Sequence, residues 1–346
     1  MGSGAAEPIR TAVVGFGVSG KVFHAPLIAA HPGYSLDVIV TADPARAAEA
    51  ARLYPHARIV PTPEELFTLA GSLDLIVLGT PPQTHYDLAA TAMDRGLHLV
   101  VDKPFVTSPA QGEALISRAA AAGVQLTVFQ NRRWDADFLT LRELVRGGAL
   151  GDVRSFESRF EWWRPDGFGN WRDTAAASDG GGILNDLGAH LVDQAVQLFG
   201  PVAESYGETA NHGRPDGADT EAFVSLLHES GVRSRLWMNG MAARVGPRFH
   251  VLGSRAGYTK WGLDSQEPAL AGGMLPSDPA YGVEPEDSWG VLGVDGTSEA
   301  VPARPGAYPE FYTRLAAALR GDGPLPVDPE ESLEVLKVIE NLRAFA

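Results

Sequence analysis

The sequence contains no cysteine, which excludes disulfide bonds, thiolate catalysis and cysteine-ligated zinc. No apolar run approaches the roughly 20 residues of a membrane-spanning helix. Met1 to Arg10 lacks the charged segment, apolar run and cleavage site of a secretory signal, so a soluble cytoplasmic protein is expected. Positive charge is scarce: 28 Lys and Arg stand against 43 Asp and Glu, a formal charge of -15. A field of that sign repels phosphate backbones and anionic lipid, which makes nucleic acid and membrane surfaces poor partners. Internal repeats and low-complexity tracts are also lacking.

What is present has ordinary globular texture, with 45% hydrophobic and 21% charged residues. The 346 residues, at roughly 150 per domain, predict two domains. From Arg10 to about Gln130, β-branched runs alternate with helical patterns, the grammar of βαβ units. Strands are expected at Thr11 to Val14, Leu36 to Thr41, Ala57 to Val60, Leu75 to Gly79, Leu97 to Val101 and Gln125 to Phe129, with helices at Pro44 to Tyr54, Pro63 to Leu69 and Ser108 to Ala122. This predicts an N-terminal Rossmann domain, a doubly wound parallel sheet, over residues 1–130. Residues 131–346 read as an α+β substrate-binding domain, with strands at Val153 to Trp162, Glu221 to Leu227, Arg233 to Met238 and Arg248 to Leu252. One long helix is expected from Gly182 to Phe199, loops and short strands from Leu263 to Arg304, and closing helices at Tyr308 to Leu319 and Pro329 to Phe345.

Gly15-Phe16-Gly17-Val18-Ser19-Gly20 is a G-x-G-x-x-G turn directly after the first strand and before a helical stretch. That context lets the backbone cradle a pyrophosphate; the alternative is a glycine turn with no ligand. About 20 residues on, an acid would hold the ribose hydroxyls of NAD, but Thr41 occupies the second strand's tip and Asp43 falls in the following turn. A hydroxyl there tolerates a 2′-phosphate and Arg46 is near enough to pair with it, which favours NADP over NAD. If Asp43 reaches back to the ribose, the preference reverses.

Two further motifs complete a pattern. Val101-Asp102-Lys103-Pro104 ends a predicted parallel strand, and Gly180-Gly181-Gly182 leads into Asp186-Leu187-Gly188-Ala189-His190. With the glycine turn, these resemble the glucose-fructose oxidoreductase, inositol dehydrogenase and rhizopine-catabolism (Gfo/Idh/MocA) family across essentially the whole chain. The family's hallmarks are a Glu-Lys-Pro after the fifth strand and an Asp-x-x-x-His on a helix of the second domain; Asp102 departs from the usual Glu. Phe23-His24-Ala25-Pro26, Asn131-Arg132-Arg133-Trp134-Asp135 and Trp171-Arg172 are similar to a branch that includes NADP-dependent scyllo-inositol dehydrogenases.

Asp186 and His190 are four apart, hence neighbours on one helix face, with Asp193 and Gln197 continuing the polar stripe opposite Ile183, Leu184, Leu187, Leu191, Val192 and Val196. Hydride transfer from a secondary alcohol needs a base for the hydroxyl proton and positive charge where alkoxide develops. His190 is the expected acid/base, Lys103 the donor to the reacting oxygen, and Asp186 the orienter of substrate or lysine; no metal is needed. The alternative is a solvated helix face with an ordinary histidine. By resemblance, Thr80, Pro81 and His85 line the cofactor cleft, with Pro104, Asn131 and Arg172 also at the cofactor. His85 could equally be a helix-start residue, and His24 could lie near the nicotinamide or simply pack.

Trp134, Trp163 and Trp171, with Arg133 and Arg164, are the expected substrate-binding set beside Lys103, Asp186 and His190, because aromatic faces stack on sugar C–H faces and arginines hold hydroxyls or carboxylates. Adjacent Trp162 and Trp163 face opposite ways on a strand, so at most one lines a given pocket. The expected activity is NAD(P)-dependent oxidoreduction of a CH–OH or C=O group of a cyclitol or sugar. An NAD-dependent glycosidase and a non-catalytic nucleotide-binding sensor are the alternatives on this fold. The resemblance further implies a homodimer or homotetramer associating through a large, mostly antiparallel open sheet of the second domain.

Overall fold

The computed structural model describes residues 7–169, 173–212 and 218–343. Strands β1 (Ile9–Val14), β2 (Tyr34–Val40), β3 (Arg58–Val60), β4 (Leu75–Leu78), β5 (His98–Asp102) and β6 (Leu126–Phe129) form a parallel sheet ordered β3-β2-β1-β4-β5-β6. Both faces are covered, so Val13, Ile76, Val77, Leu99 and Val100 are fully buried and the central strands read as continuous apolar runs. Strand order reverses between β1 and β4, opening the crevice at the strands' C-terminal ends where ligands bind in such sheets.

The helices between these strands follow local capping chemistry. After α1 (Ala25–Ala30), α2 (Pro44–Leu53) is capped by Asp43, α3 (Pro63–Phe67) by Thr62, and, after α4 (His85–Met93), α5 (Pro109–Ala122) by Ser108. In α2, α3 and α5 the cap is followed by proline, whose missing N–H is no loss in a first turn. The helix entered from the glycine turn begins as a wide π turn, Ser19–His24, in which the Ala25 N–H reaches the Gly20 carbonyl five residues back. Pro26 has no N–H for the carbonyl four residues before it, which favours this irregularity.

After α6 (Ala136–Arg146) comes an eight-stranded sheet. Its strands are β7 (Val153–Glu161), β8 (Val202–Ala210), β9 (Glu221–His228), β10 (Arg233–Asn239), β11 (Phe249–Gly253), β12 (Gly257–Lys260), β13 (Gly290–Val294) and β14 (Thr297–Val301), ordered β14-β13-β12-β11-β7-β10-β9-β8. Only the β7–β10 pair is parallel. Period-two burial along β7, β9 and β10 turns Phe156, Phe160, Val224, Leu226, Leu236 and Met238 onto Leu191, Val192 and Ala195 of α7 (Ala189–Phe199). After α8 (Gln266–Ala271) and the β13–β14 hairpin, the chain returns to the first sheet. Phe311, Tyr312 and Leu315 of α9 (Pro309–Leu319) join the core of Val13, Val77 and Phe129, and α10 (Pro329–Arg343) packs on both α5 and α7.

The helix expected from Gly182 to Phe199 is present as one continuous run from Ile183 to Phe199. Its first turn, Leu184–Gly188, is a π turn that passes directly into the α-helix at Ala189, and Asp219 caps the entry, its carboxylate accepting the Leu184 N–H at 2.8 Å and its carbonyl the Ile183 N–H at 3.0 Å. The apolar and polar stripes are both buried: His190 is 4% and Asp193 2% exposed. The stretch from Leu263 to Arg304 holds α8 and the β13–β14 hairpin. No expectation covered β8, a sheet edge with few apolar residues.

Candidate active site

Gly15 has φ of 95° and lies so close to the Gly79 carbonyl, at the end of β4, that a Cβ would press on it; a Cβ on Gly20 would overlap the Gly15 carbonyl. These glycines bring the tips of β1 and β4 together. Gly17 is open, with only Arg46 Nη1 near, 3.8 Å from where its Cβ would be. Ser19 Oγ is buried beside Gly79 without a hydrogen-bond partner. Val18 is exposed and supplies no side-chain cap to the helix, while Phe16 is buried with its ring edge-on to Tyr54, so both offer backbone only. An open glycine backbone, an uncapped helix entry and an orphaned hydroxyl fit the pyrophosphate of a dinucleotide.

At the tip of β2, Thr41 is buried with its N–H on the Val60 carbonyl. Asp43 Oδ1 accepts the Arg46 N–H at 2.9 Å and caps α2.

The opposite end of the crevice is built by the segments after β4, β5 and β6. Thr80 Oγ1 is bonded to Thr84 Oγ1 at 2.7 Å and precedes Pro81. Asp102 Oδ1 accepts the Lys103 N–H at 2.8 Å, and the Lys103–Pro104 peptide is cis. Lys103 Nζ then crosses to the second sheet's helix, donating to Asp186 Oδ1 at 2.6 Å and to the Asp186 carbonyl at 2.8 Å. Both side chains are largely shielded, 12% and 18% exposed, which strengthens the ion pair relative to one in water. Asp186 sits in the π turn, an irregularity frequent at functional sites. His190 follows one turn later, its ring edge-on to Phe160. Asn131 is buried in the short turn after β6.

Beside Asp186 lies a cleft lined by Arg164, Phe168, Ile183, Asp219 and Met241, among others. Arg164 lies over the Phe168 ring at 5.4 Å. Asp219, whose pKa is raised by burial, occupies the space a Gly182 side chain would need, and Gly182 has φ of 90°. Asp219, Phe168 and Met241 went unseen in the sequence. None belongs to a motif, and Asp219 is brought to the helix entry only by the start of β9.

Several expected site residues are not brought to the cleft. Arg133 is buried and its guanidinium is consumed by Asp193, at 2.8 and 2.5 Å, and by Glu331 at 2.5 Å. Trp134 is buried against Phe311. Trp163 is 57% exposed and pairs by its backbone with Met241, while Trp162 stacks on Phe160 and meets Phe168 edge-on. His85 is fully buried with both ring nitrogens on backbone carbonyls, so it does not line the cofactor cleft. His24 packs: its Nδ1 is 2.7 Å from Tyr312 Oη, its ring lies against Phe129, and burial pulls its pKa down to about 4. Trp171 and Arg172 lie outside the described residues. Among the described residues, no group of three or more His, Asp or Glu is placed to hold a metal ion.

Comparison with known proteins agrees with this geometry. Residues 9–130 match the oxidoreductase family with an NAD-binding Rossmann fold, and residues 138–259 match the Gfo/Idh/MocA C-terminal domain. The chain is 39% identical to the uncharacterized oxidoreductase YdgJ of Escherichia coli (strain K12), over 96% of this chain and 95% of that protein. It is 32% identical to IolW of Bacillus subtilis (strain 168), a scyllo-inositol 2-dehydrogenase (NADP(+)), over 96% and 92%. The structure of yvaA from Bacillus subtilis superimposes with a TM-score of 0.90 at 29% identity, covering 99% of this chain and 96% of that one. With both sheets, the glycine cradle and the lysine-aspartate bridge in place, the chain belongs to the Gfo/Idh/MocA family of NAD(P)-binding oxidoreductases.

Proposed function

We propose that this oxidoreductase moves a hydride between NADP(H) and a CH–OH or C=O carbon of a cyclitol or sugar. The observation that carries the reading is the Lys103–Asp186 bridge, which places an ammonium from the tip of β5 against the helix that bears His190. In the oxidation direction, the substrate hydroxyl gives its proton to His190 as its carbon loses hydride. Lys103 donates a hydrogen bond to the oxygen as it gains alkoxide character, and Asp186 fixes the ammonium in place. The nicotinamide, when bound, accepts or returns the hydride. In reduction, His190 returns the proton to the carbonyl oxygen.

Thr41 and Arg46 support NADP, since a neutral tip beside a guanidinium suits a 2′-phosphate better than a carboxylate would. The named activity of IolW supports the cofactor and the cyclitol class alike. Arg164 over Phe168 gives the cleft one apolar face and one polar clamp suited to a ring bearing hydroxyls. The test is reduction of NADP or NAD, read by absorbance, with purified protein and a panel of inositols, aldoses and deoxy-sugars. Turnover of a cyclitol with NADP is expected; saturable NADP binding with no turnover across the panel would overturn the substrate class.

Self-association through the outer face of the eight-stranded sheet belongs to the same proposal, with Tyr206, Leu252 and Val291 exposed there at 48%, 44% and 41%. Sedimentation should give a dimer or tetramer, and a monomer at assay concentrations would refute it. No helix among the described residues is long and apolar enough to cross a membrane.

A further inference from the structure

His85 is used by none of the chemistry above, yet both of its ring nitrogens are held by backbone carbonyls behind the crevice. Its ring is fully buried between two loops that end neighbouring strands. Nε2 lies 2.8 Å from the Thr80 carbonyl after β4, while Nδ1 lies 3.0 Å from the Phe105 carbonyl and 3.2 Å from that of Pro104, after β5. Every one of these partners is an acceptor. A neutral imidazole has one N–H and can donate on one side only, whereas the imidazolium donates on both. Burial lowers the ring's pKa, and the three carbonyls and the Asp102 carboxylate oppose that. The residue immediately before Pro104 is Lys103, whose Nζ spans to Asp186.

We propose that His85 is a positioning residue: it braces the Lys103-Pro104-Phe105 segment against the Thr80 segment and so fixes the backbone from which Lys103 reaches Asp186. The inference rests on the hydride-transfer reading of Lys103. Thr80 is itself tied down by Thr84, and Thr84 Oγ1 donates to the Pro81 carbonyl at 2.8 Å. The β4 loop is therefore the anchor and the β5 loop is what His85 holds. Small misplacements of a group at the reacting centre cost on the order of 100-fold in rate, so the brace is read in turnover rather than in nucleotide affinity.

The experiment is a double-mutant cycle on the full chain with His85→Gln, Lys103→Ala and the double variant, measuring kcat, KM for the cyclitol and Kd for NADPH. His85→Gln should lower kcat by about 10- to 100-fold with KM and NADPH Kd within about threefold, and should have less than about a twofold effect when Lys103 is already Ala. Full additivity of the two substitutions, or loss of NADPH binding by His85→Gln alone, would overturn the proposal. Unchanged activity of Lys103→Ala would overturn the hydride-transfer reading and this inference with it. Unchanged activity of His85→Gln beside an impaired Lys103→Ala would overturn this inference alone. His85→Asn, which keeps a donor near the Nδ1 position, serves as the second variant. If neither variant folds, His85 is a folding residue and the proposal fails.

Discussion

Lys103 Nζ lies 2.6 Å from the Asp186 carboxylate and 2.8 Å from the Asp186 carbonyl oxygen, so a single ammonium from the end of the first sheet is fastened twice to one residue of the helix that packs on the second. An aspartate that only balanced charge would be replaceable at modest cost. One that holds the lysine at the reacting oxygen is not. Lys103→Met should lower kcat by about 10² or more, and Asp186→Asn by about 10-fold or more with little change in NADPH binding, measured by steady-state kinetics and fluorescence titration.

His190 is the expected proton acceptor. His190→Ala should cost about 10² to 10⁴ in turnover while the protein remains folded and binds NADPH. Activity within a few-fold of wild type would remove His190 from the reaction.

Cofactor choice hangs on the tip of β2. Arg46→Ala should weaken NADP binding by about tenfold or more and leave NAD nearly unaffected, because only the 2′-phosphate meets that guanidinium. Thr41→Asp should shift preference toward NAD. Equal effects on the two cofactors would place Arg46 away from the 2′-phosphate.

Arg133 serves the fold rather than the substrate. Arg133→Ala leaves the Asp193 carboxylate buried with its bidentate partner gone, a loss of about 3–5 kcal/mol, visible as a lower urea midpoint. KM of the folded enzyme should change little. A raised KM at unaltered stability would return Arg133 to the substrate site.

Buried His24 makes stability depend on pH. Its folded pKa of about 4 lies below the ordinary value of 6.5, so the unfolded chain takes up the proton first as pH falls. The stabilisation is complete above about pH 6.5, declines from there to about pH 4 and is lost below, a change of about 3 kcal/mol at most. Urea midpoints should therefore fall less for His24→Leu than for wild type between about pH 7.5 and about pH 4.5; parallel declines would contradict the assignment.

Much of the nucleotide half was legible because its signals are local. The glycine turn, the proline-led helix starts and the apolar strand runs each carry their own instructions, and the Asp43 cap could be read as a turn. The misjudged residues depend on contacts made far along the chain. Arg133 meets Glu331 and Asp193, Trp134 meets Phe311, and His85 reaches Phe105. An arginine or tryptophan near a motif looks the same in sequence whether it faces a cleft or a core. The cap of the helix after Gly182 was hidden for a related reason, since the carboxylate that accepts the Leu184 N–H comes from Asp219.

The central claim is hydride transfer, and its most direct measurement uses scyllo-inositol carrying deuterium on its ring carbons. The protein is incubated with this substrate and NADP, and the product nucleotide is read by NMR. The account predicts one deuterium at C4 of NADPH, on one face only, with transfer reduced in parallel in the Lys103→Met and His190→Ala proteins. Deuterium found in water instead, or NADP left unreduced while it remains bound, would contradict it.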